Sequence, residues 1–221
     1  MAESLQAIIF DIDGTLVQSN SDDDRIYRES VISVLGPVRF REEIHHYDRV
    51  TDAGILLQIF EDNELDHSAE LAAAVKTEFT ERTRQHLQTN GPFSEIPGAR
   101  RYLRQLSESC NCQVAIATGG WRDTAQLKLT TAGFDVASIL LASSDDAIDR
   151  TDIMRIALSR LDTDCESAVY FGDGTWDRAA CEALGWEFRP VGRVLGGIDN
   201  YHELKSLLSG IGRRGQSGPG I

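Results

Sequence analysis

The sequence predicts an α/β protein, a doubly wound and mainly parallel sheet into which an all-helical domain is inserted. Three observations predict it. From Ala99 onward, helix-like and strand-like patterns alternate regularly, which is the signature of parallel strands joined by right-handed helical crossovers. Far upstream of that block, the apolar run Leu5 to Phe10 ends in "DIDGT", as a buried strand does when it stops at a tight turn that needs a glycine. Between the two, residues 20 to 90 are polar, acidic and helical in pattern, with few strand-like runs.

The elements follow in order. Leu5 to Phe10 reads as the first strand. Ile26, Ser30, Ile32 and Leu35 fit one helix, Ile55 to Phe60 a second, and Ala69 to Leu87 a third with Leu71, Val75, Phe79 and Leu87 on an apolar stripe. Asn90-Gly91-Pro92 and Pro97-Gly98 break the pattern. The alternating block then predicts helix 99–109, strand 113–117, helix 122–132, strand 138–142, helix 151–160, strand 167–171, helix 176–184, strand 187–191 and a last helix over 200–209. The expected organisation is a Rossmann-like core from residues 1–18 and 92–210, a helical cap over 19–91, and a Gly-rich tail, residues 211–221, too poor in apolar residues to pack and expected to be disordered.

Composition narrows the function. The 221 residues with 41% hydrophobic content suffice for one core domain carrying a smaller insert. Against 35 acidic residues stand 22 Lys and Arg, a formal charge of −13, which repels nucleic acid and anionic membranes. An anionic substrate must therefore be drawn in locally, by a metal or a few placed cations. Cys110, Cys112, Cys165 and Cys181 show no disulfide or zinc spacing and are expected to be reduced thiols. No apolar run reaches the roughly 18 residues of a membrane span, no leader pattern precedes Asp11, and the cytoplasm is the expected compartment. A monomer or homodimer is expected.

Ligands of doubly wound sheets bind beyond the C-terminal ends of the strands, where strand order reverses. Asp11, Asp13, Asp173 and Asp177 all fall at such ends, the last two in "YFGDGTWD". If the first and fourth strands are neighbours, these acids converge, and like charges so close need a counterion. Carboxylates with carbonyls and waters suit Mg²⁺. A plainer account of "GDGTWD" is a turn followed by a helix with an acid in its first turn. A calcium loop is disfavoured, because the glycine of "DIDG" comes fourth rather than sixth. Thr118-Gly119-Gly120, at another strand end, offers a hydroxyl and successive N–H groups, the makings of an anion cradle.

Together these residues resemble the haloacid-dehalogenase-like superfamily of phosphohydrolases, in particular its phosphoglycolate phosphatase and beta-phosphoglucomutase-like members with a cap between the first two motifs. D-x-D-G-T stands at Asp11 to Thr15, the Thr of the second motif at Thr118, and G-D-x-x-x-D at Gly172 to Asp177. The third motif departs from the pattern. Where the family has a lysine, "SSDDAIDRTDIM" supplies Arg150, which is charged and forked for phosphate; Lys128 is a poorer candidate, and a surface role for Arg150 is the bland alternative.

The resemblance implies a phosphatase of small phosphorylated metabolites. Asp11 would be the nucleophile and form an aspartyl-phosphate. Asp13 would carry the proton to the leaving group and from the water, its pKa raised by crowding among the acids. Mg²⁺ would be held by Asp11, the Asp13 carbonyl, Asp173 and Asp177, and the transferring oxygens by Thr118, the Gly119 and Gly120 turn and Arg150. In the cap, Arg49 would meet an anionic substrate, and Thr51 would contact substrate from a helix-capping turn. Tyr27 and Arg28 are weaker candidates, and His45 and His46 are expected to be solvated or satisfied in the core and not to act as ligands. A phosphomutase, or a non-catalytic binding protein on the same fold, are the alternatives. A phosphonate hydrolase needs a cap lysine, and Lys76 falls on the polar side of its helix.

Overall fold

The computed structural model describes residues 6–108 and 112–206. Leu5, Cys110, residues 207–209 of the expected last helix and the Gly-rich tail lie outside them. Five strands form one parallel sheet. β1 (Gln6–Phe10) is central, flanked by β2 (Cys112–Ala117) and then β3 (Leu140–Ala142) on one side, and by β4 (Ala168–Gly172) and then β5 (Glu187–Pro190) on the other. Phe10 is in register with Ile116 of β2 and Phe171 of β4. Strand order reverses between β1 and β4, so the acid after β1 meets the acids after β4 at the crevice.

Burial on both faces explains the unbroken apolar run of β1. Ile8 and Phe10 face a layer formed by α4 (Ala99–Ser107) and α5 (Arg122–Thr131), with Phe10 stacked on Phe171 at 4.7 Å between ring centroids. Ala7 and Ile9 face α6 (Arg150–Ser159) and α7 (Thr175–Leu184) through Ile153, Met154, Ala157 and Ala180.

The insert is helical: α1 (Asn20–Leu35), α2 (Asp52–Asp62) and α3 (Ala69–Asn90) enclose their own cluster around Tyr27, Phe60, Val75 and Phe79. Polar contacts Ser33 to Glu78, Glu29 to Arg82 and Arg25 to His86 set α1 antiparallel to α3. This register leaves Leu71 beyond the end of α1 and 38% exposed, whereas Thr83 takes the buried stripe position between Phe79 and Leu87. The cap sits on the core through Trp121, which precedes α5 yet lies in the cap cluster, its ring 5.8 Å from Tyr27 and 5.9 Å from Phe79. Lys76, expected on a polar face, forms an ion pair with Asp145 of the core.

Two elements differ from expectation. The third strand begins at Leu140, because Val136–Ser138 form a 3₁₀ turn that delivers the chain to the sheet edge. The last segment is a 3₁₀ helix at Tyr201–Ser206. Its three-residue repeat puts Tyr201 and Leu204 on one face, and both are buried in the core. No helix among the described residues is long and apolar enough to cross a membrane.

Candidate active site

Asp11 is the first residue beyond β1, and its N–H donates to Phe171 O at 2.9 Å, which ties it to the end of β4. It is 4% exposed. The turn that follows needs its glycine: Gly14 has φ +70, and a Cβ there would fall 1.9 Å from Asp173 Oδ2, so only a hydrogen side chain lets the two loops meet. Asp173 accepts from Asn20 Nδ2 at 2.7 Å. Asp177, fully buried in the first turn of α7, accepts the Gly174 N–H at 3.1 Å. The plainer account of that motif, an acid serving a helix start, thus holds together with its place in the site.

One carboxylate oxygen from each of Asp11, Asp173 and Asp177 lies within 4.8 Å of the others. Burial is the main cause that pushes the Asp11 carboxyl up to about 7; Arg150 opposes it, and Asp177 and Asp13 add to it. Asp173 is pushed to about 7 by burial and by Asp11, and Asp177 to about 6 by burial against the pull of Arg150. Two buried acids and a half-buried one that resist ionisation, presenting only oxygen donors, fit a hard divalent cation.

Arg150 opens α6, and its side chain, 11% exposed, points into the site and not to the surface. Its Nη1 lies 3.3 Å from Asp11 and 3.2 Å from Asp177, and it also reaches the Tyr170 hydroxyl and Val50 O at 3.4 Å. Burial works against its charge, but Asp177 and Asp11 more than offset this and hold it fully protonated. The Tyr170 hydroxyl donates to Ala117 O at 2.8 Å, so the arginine is steadied by the sheet itself.

Thr118 follows β2, its N–H bonded to Ala142 O and its Oγ1 accepting the Gly120 N–H at 3.1 Å. A Cβ on Gly119 would lie 2.9 Å from both Arg150 Nη2 and Val50 O. This turn, Asp11, Asp13, Arg150 and Asp173 line one cavity of about 290 Å³, which Tyr27, Arg28 and Ile55 close from the cap and Trp176 from the core.

Asp13 stands outside the three-carboxylate cluster. Its Oδ1 accepts from Ser19 Oγ and from Lys128 Nζ, the latter at 2.7 Å. Lys128 is 1% exposed and has a second partner, Asp23 Oδ1, at 2.6 Å. Burial disfavours its ammonium, but Asp13 and Asp23 raise its pKa above the ordinary lysine range. Burial likewise pushes Asp23 up to about 6, and Asp52 to about 8 with Asp23 as the next cause. Asp52 Oδ2 accepts the Trp121 N–H at 2.8 Å. A lysine in the last turn of its helix and two acids of a polar cap carry no local signal for these roles.

The two cap candidates are placed differently. Thr51 borders the cavity, but its hydroxyl accepts from Gly54 N as the cap of α2 and donates to Ile148 O at 2.7 Å. Arg49 was expected to meet the substrate. Instead it is 2.9 Å from Asp149, in an ion pair that bridges cap and core, and it is not among the residues that line the cavity. Arg28 lines the cavity with its guanidinium engaged by Asp24 at 2.9 Å and stacked over Phe40. His45 and His46 are exposed.

Fold and site together are those of an α/β protein with a helical insert and an acidic cluster in the crevice beyond two adjacent parallel strands. The family model for haloacid dehalogenase-like hydrolases matches residues 5–185, and the chain belongs to that family. No curated protein matches it in a sequence comparison. Among solved structures, it is similar to beta-phosphoglucomutase from Clostridium difficile (TM-score 0.71, 13% identity, covering 94% of this chain and 97% of that one). CbbY from Rhodobacter sphaeroides in complex with phosphate is also similar (0.66, 22%, 90% and 89%), as is a hydrolase from Pseudomonas syringae (0.67, 22%, 84% of each).

Proposed function

We propose that this protein is a Mg²⁺-dependent phosphatase that hydrolyses a small phosphorylated metabolite through an aspartyl-phosphate on Asp11. The observation that carries the reading is the meeting of Asp11, Asp173 and Asp177 with Arg150, beside the Thr118-Gly119-Gly120 turn, at the ends of adjacent strands. Phosphate in the CbbY structure supports a phosphoryl ligand for this fold.

Asp11 attacks phosphorus in line, and the bond to the leaving oxygen breaks as Asp13 delivers a proton to it. Water then attacks the aspartyl-phosphate, Asp13 takes a proton from that water, and inorganic phosphate leaves with Asp11 restored. Arg150, Thr118 and the N–H groups of the Gly119 and Gly120 turn hold the equatorial oxygens, where charge collects in the transition state. Asp11, Asp173 and Asp177, with the Asp13 carbonyl, would hold a divalent cation, which when bound would supply the remaining positive charge needed for one anion to approach another. The cap shields the aspartyl-phosphate and reads the leaving group.

Purified protein should release inorganic phosphate from p-nitrophenyl phosphate with Mg²⁺, stop in EDTA and recover when Mg²⁺ is restored. Asp11→Asn keeps the shape and removes the nucleophile. Undiminished turnover by that variant would overturn the assignment.

A further inference from the structure

Lys128 does work that the reaction scheme above leaves unassigned. It sits in the last turn of α5, beside Leu129 and three residues after Ala125 of the core, and is 1% exposed. Burying an ammonium is costly, and apolar side chains at such a position commonly give equal or better stability. Stability alone therefore does not account for it. Its two partners come from different parts of the chain: Asp13 from the turn after β1, and Asp23 from the first turn of the cap helix α1.

A second observation points to the same carboxylate. Ser19 occupies the N-cap of α1, where a serine hydroxyl ordinarily accepts from the helix N–H groups, yet it makes no such bond. It is 2% exposed, and its hydroxyl donates to Asp13 Oδ1 instead. Two donors thus converge on one oxygen of Asp13. The other oxygen, Oδ2, lies 3.9 Å from where a Cβ on Gly120 would stand, and Asp13, Thr118 and Gly120 all line the cavity.

We infer that Lys128 is a positioning residue: with Ser19 it anchors Asp13 Oδ1 so that Oδ2 faces the leaving oxygen, and through Asp23 it makes that alignment depend on the seating of the cap. This rests on Asp13 being the proton carrier of the proposed phosphatase. A carboxylate free to rotate would lose the geometry that makes proton transfer efficient, and that transfer matters most when the leaving oxygen is strongly basic.

The test is a leaving-group series of aryl phosphates, from p-nitrophenyl phosphate to unsubstituted phenyl phosphate, with Mg²⁺ present, on wild type, Lys128→Met, Lys128→Arg and Asp23→Asn. In Lys128→Met, kcat should fall on the order of 100-fold for phenyl phosphate, the scale of proton-transfer catalysis, and far less for p-nitrophenyl phosphate, with KM little changed. Asp23→Asn should show the same dependence at smaller amplitude, and Lys128→Arg should restore part of the loss. Should Lys128→Met fail to fold, Asp23→Asn carries the test, because it keeps the Lys128 to Asp13 contact and leaves no charge of its own. Equal losses across the series in the folded variants, or a change in KM alone, would overturn the inference. Wild type without turnover on any aryl phosphate would overturn the phosphatase reading instead.

Discussion

Two cations with little solvent exposure pair with four of the acids at this site. Arg150 faces Asp11 and Asp177, whereas Lys128 faces Asp13 and Asp23. Removing Arg150 leaves two buried acids without their counter-charge, a loss of about 3–5 kcal/mol for a broken buried pair. Arg150→Ala should therefore lower both the thermal midpoint and phosphate affinity. Arg150→Lys retains charge but not the fork, and should keep more of the fold than of the activity. Unchanged turnover and phosphate affinity in both variants would show that Arg150 does not take the third-motif role. Gly14→Ala is a sharper probe of geometry. Its Cβ would displace Asp173, and a positive φ adds about 1–3 kcal/mol of strain. We expect Mg²⁺ affinity, read by titration of the thermal midpoint, to fall more than the midpoint of the metal-free protein. Arg150 was readable because it follows a strand by a short, familiar interval. Lys128 was readable only as a poorer candidate for that same role, because its own partners, Asp13 and Asp23, are brought to it by the fold from distant segments.

The cap is where element-level reading succeeded and residue-level reading slipped. Its three helices were legible from their apolar spacing. Their faces shifted where α1 is shorter than α3, which exposes Leu71. Arg49 pairs with Asp149 instead of reaching the cavity, since its orientation is set by the seam between cap and core, which no local pattern encodes. Trp121 is the clearest case. It follows Gly120 as an apparent turn residue, yet its ring completes the cap cluster between Tyr27 and Phe79. Trp121→Ala should cost about 3–5 kcal/mol and loosen the cap from the core. Limited proteolysis of the insert should then be faster with the core still resistant; equal resistance of cap and core in the variant would refute this docking role.

At the scale of the whole molecule, the crowded acids make stability depend on pH and metal together. Asp11 and Asp173 near 7, Asp177 and Asp23 near 6 and Asp52 near 8 all lie above their unfolded value of 3.8. The native state thus binds more protons than the unfolded state from about pH 4 to 8, and the stability of the metal-free protein falls as pH rises through that window. Asp62, Glu95 and Asp146, held low by arginines, have the opposite sign but titrate below it. Mg²⁺ at the proposed site would favour the ionised acids, so it should raise the thermal midpoint more at pH 8 than at pH 5.5; at one hundred times its dissociation constant the stabilisation is about 2.7 kcal/mol. A metal-free midpoint that rises between pH 5.5 and 8 would contradict this.

By itself the sequence determined the alternating core, the helical insert and the strand ends at which Asp11, Thr118 and Asp173 lie. These follow from periodicity and turn chemistry, both of which act over a few neighbouring residues. Tertiary structure decided what no short window contains: that β1 and β4 are neighbours, that Lys128 meets Asp13 and Asp23, and that Trp121 joins the cap. Such choices arise from charge pairing and burial between segments far apart in the chain, and become defined only once the sheet has ordered its strands.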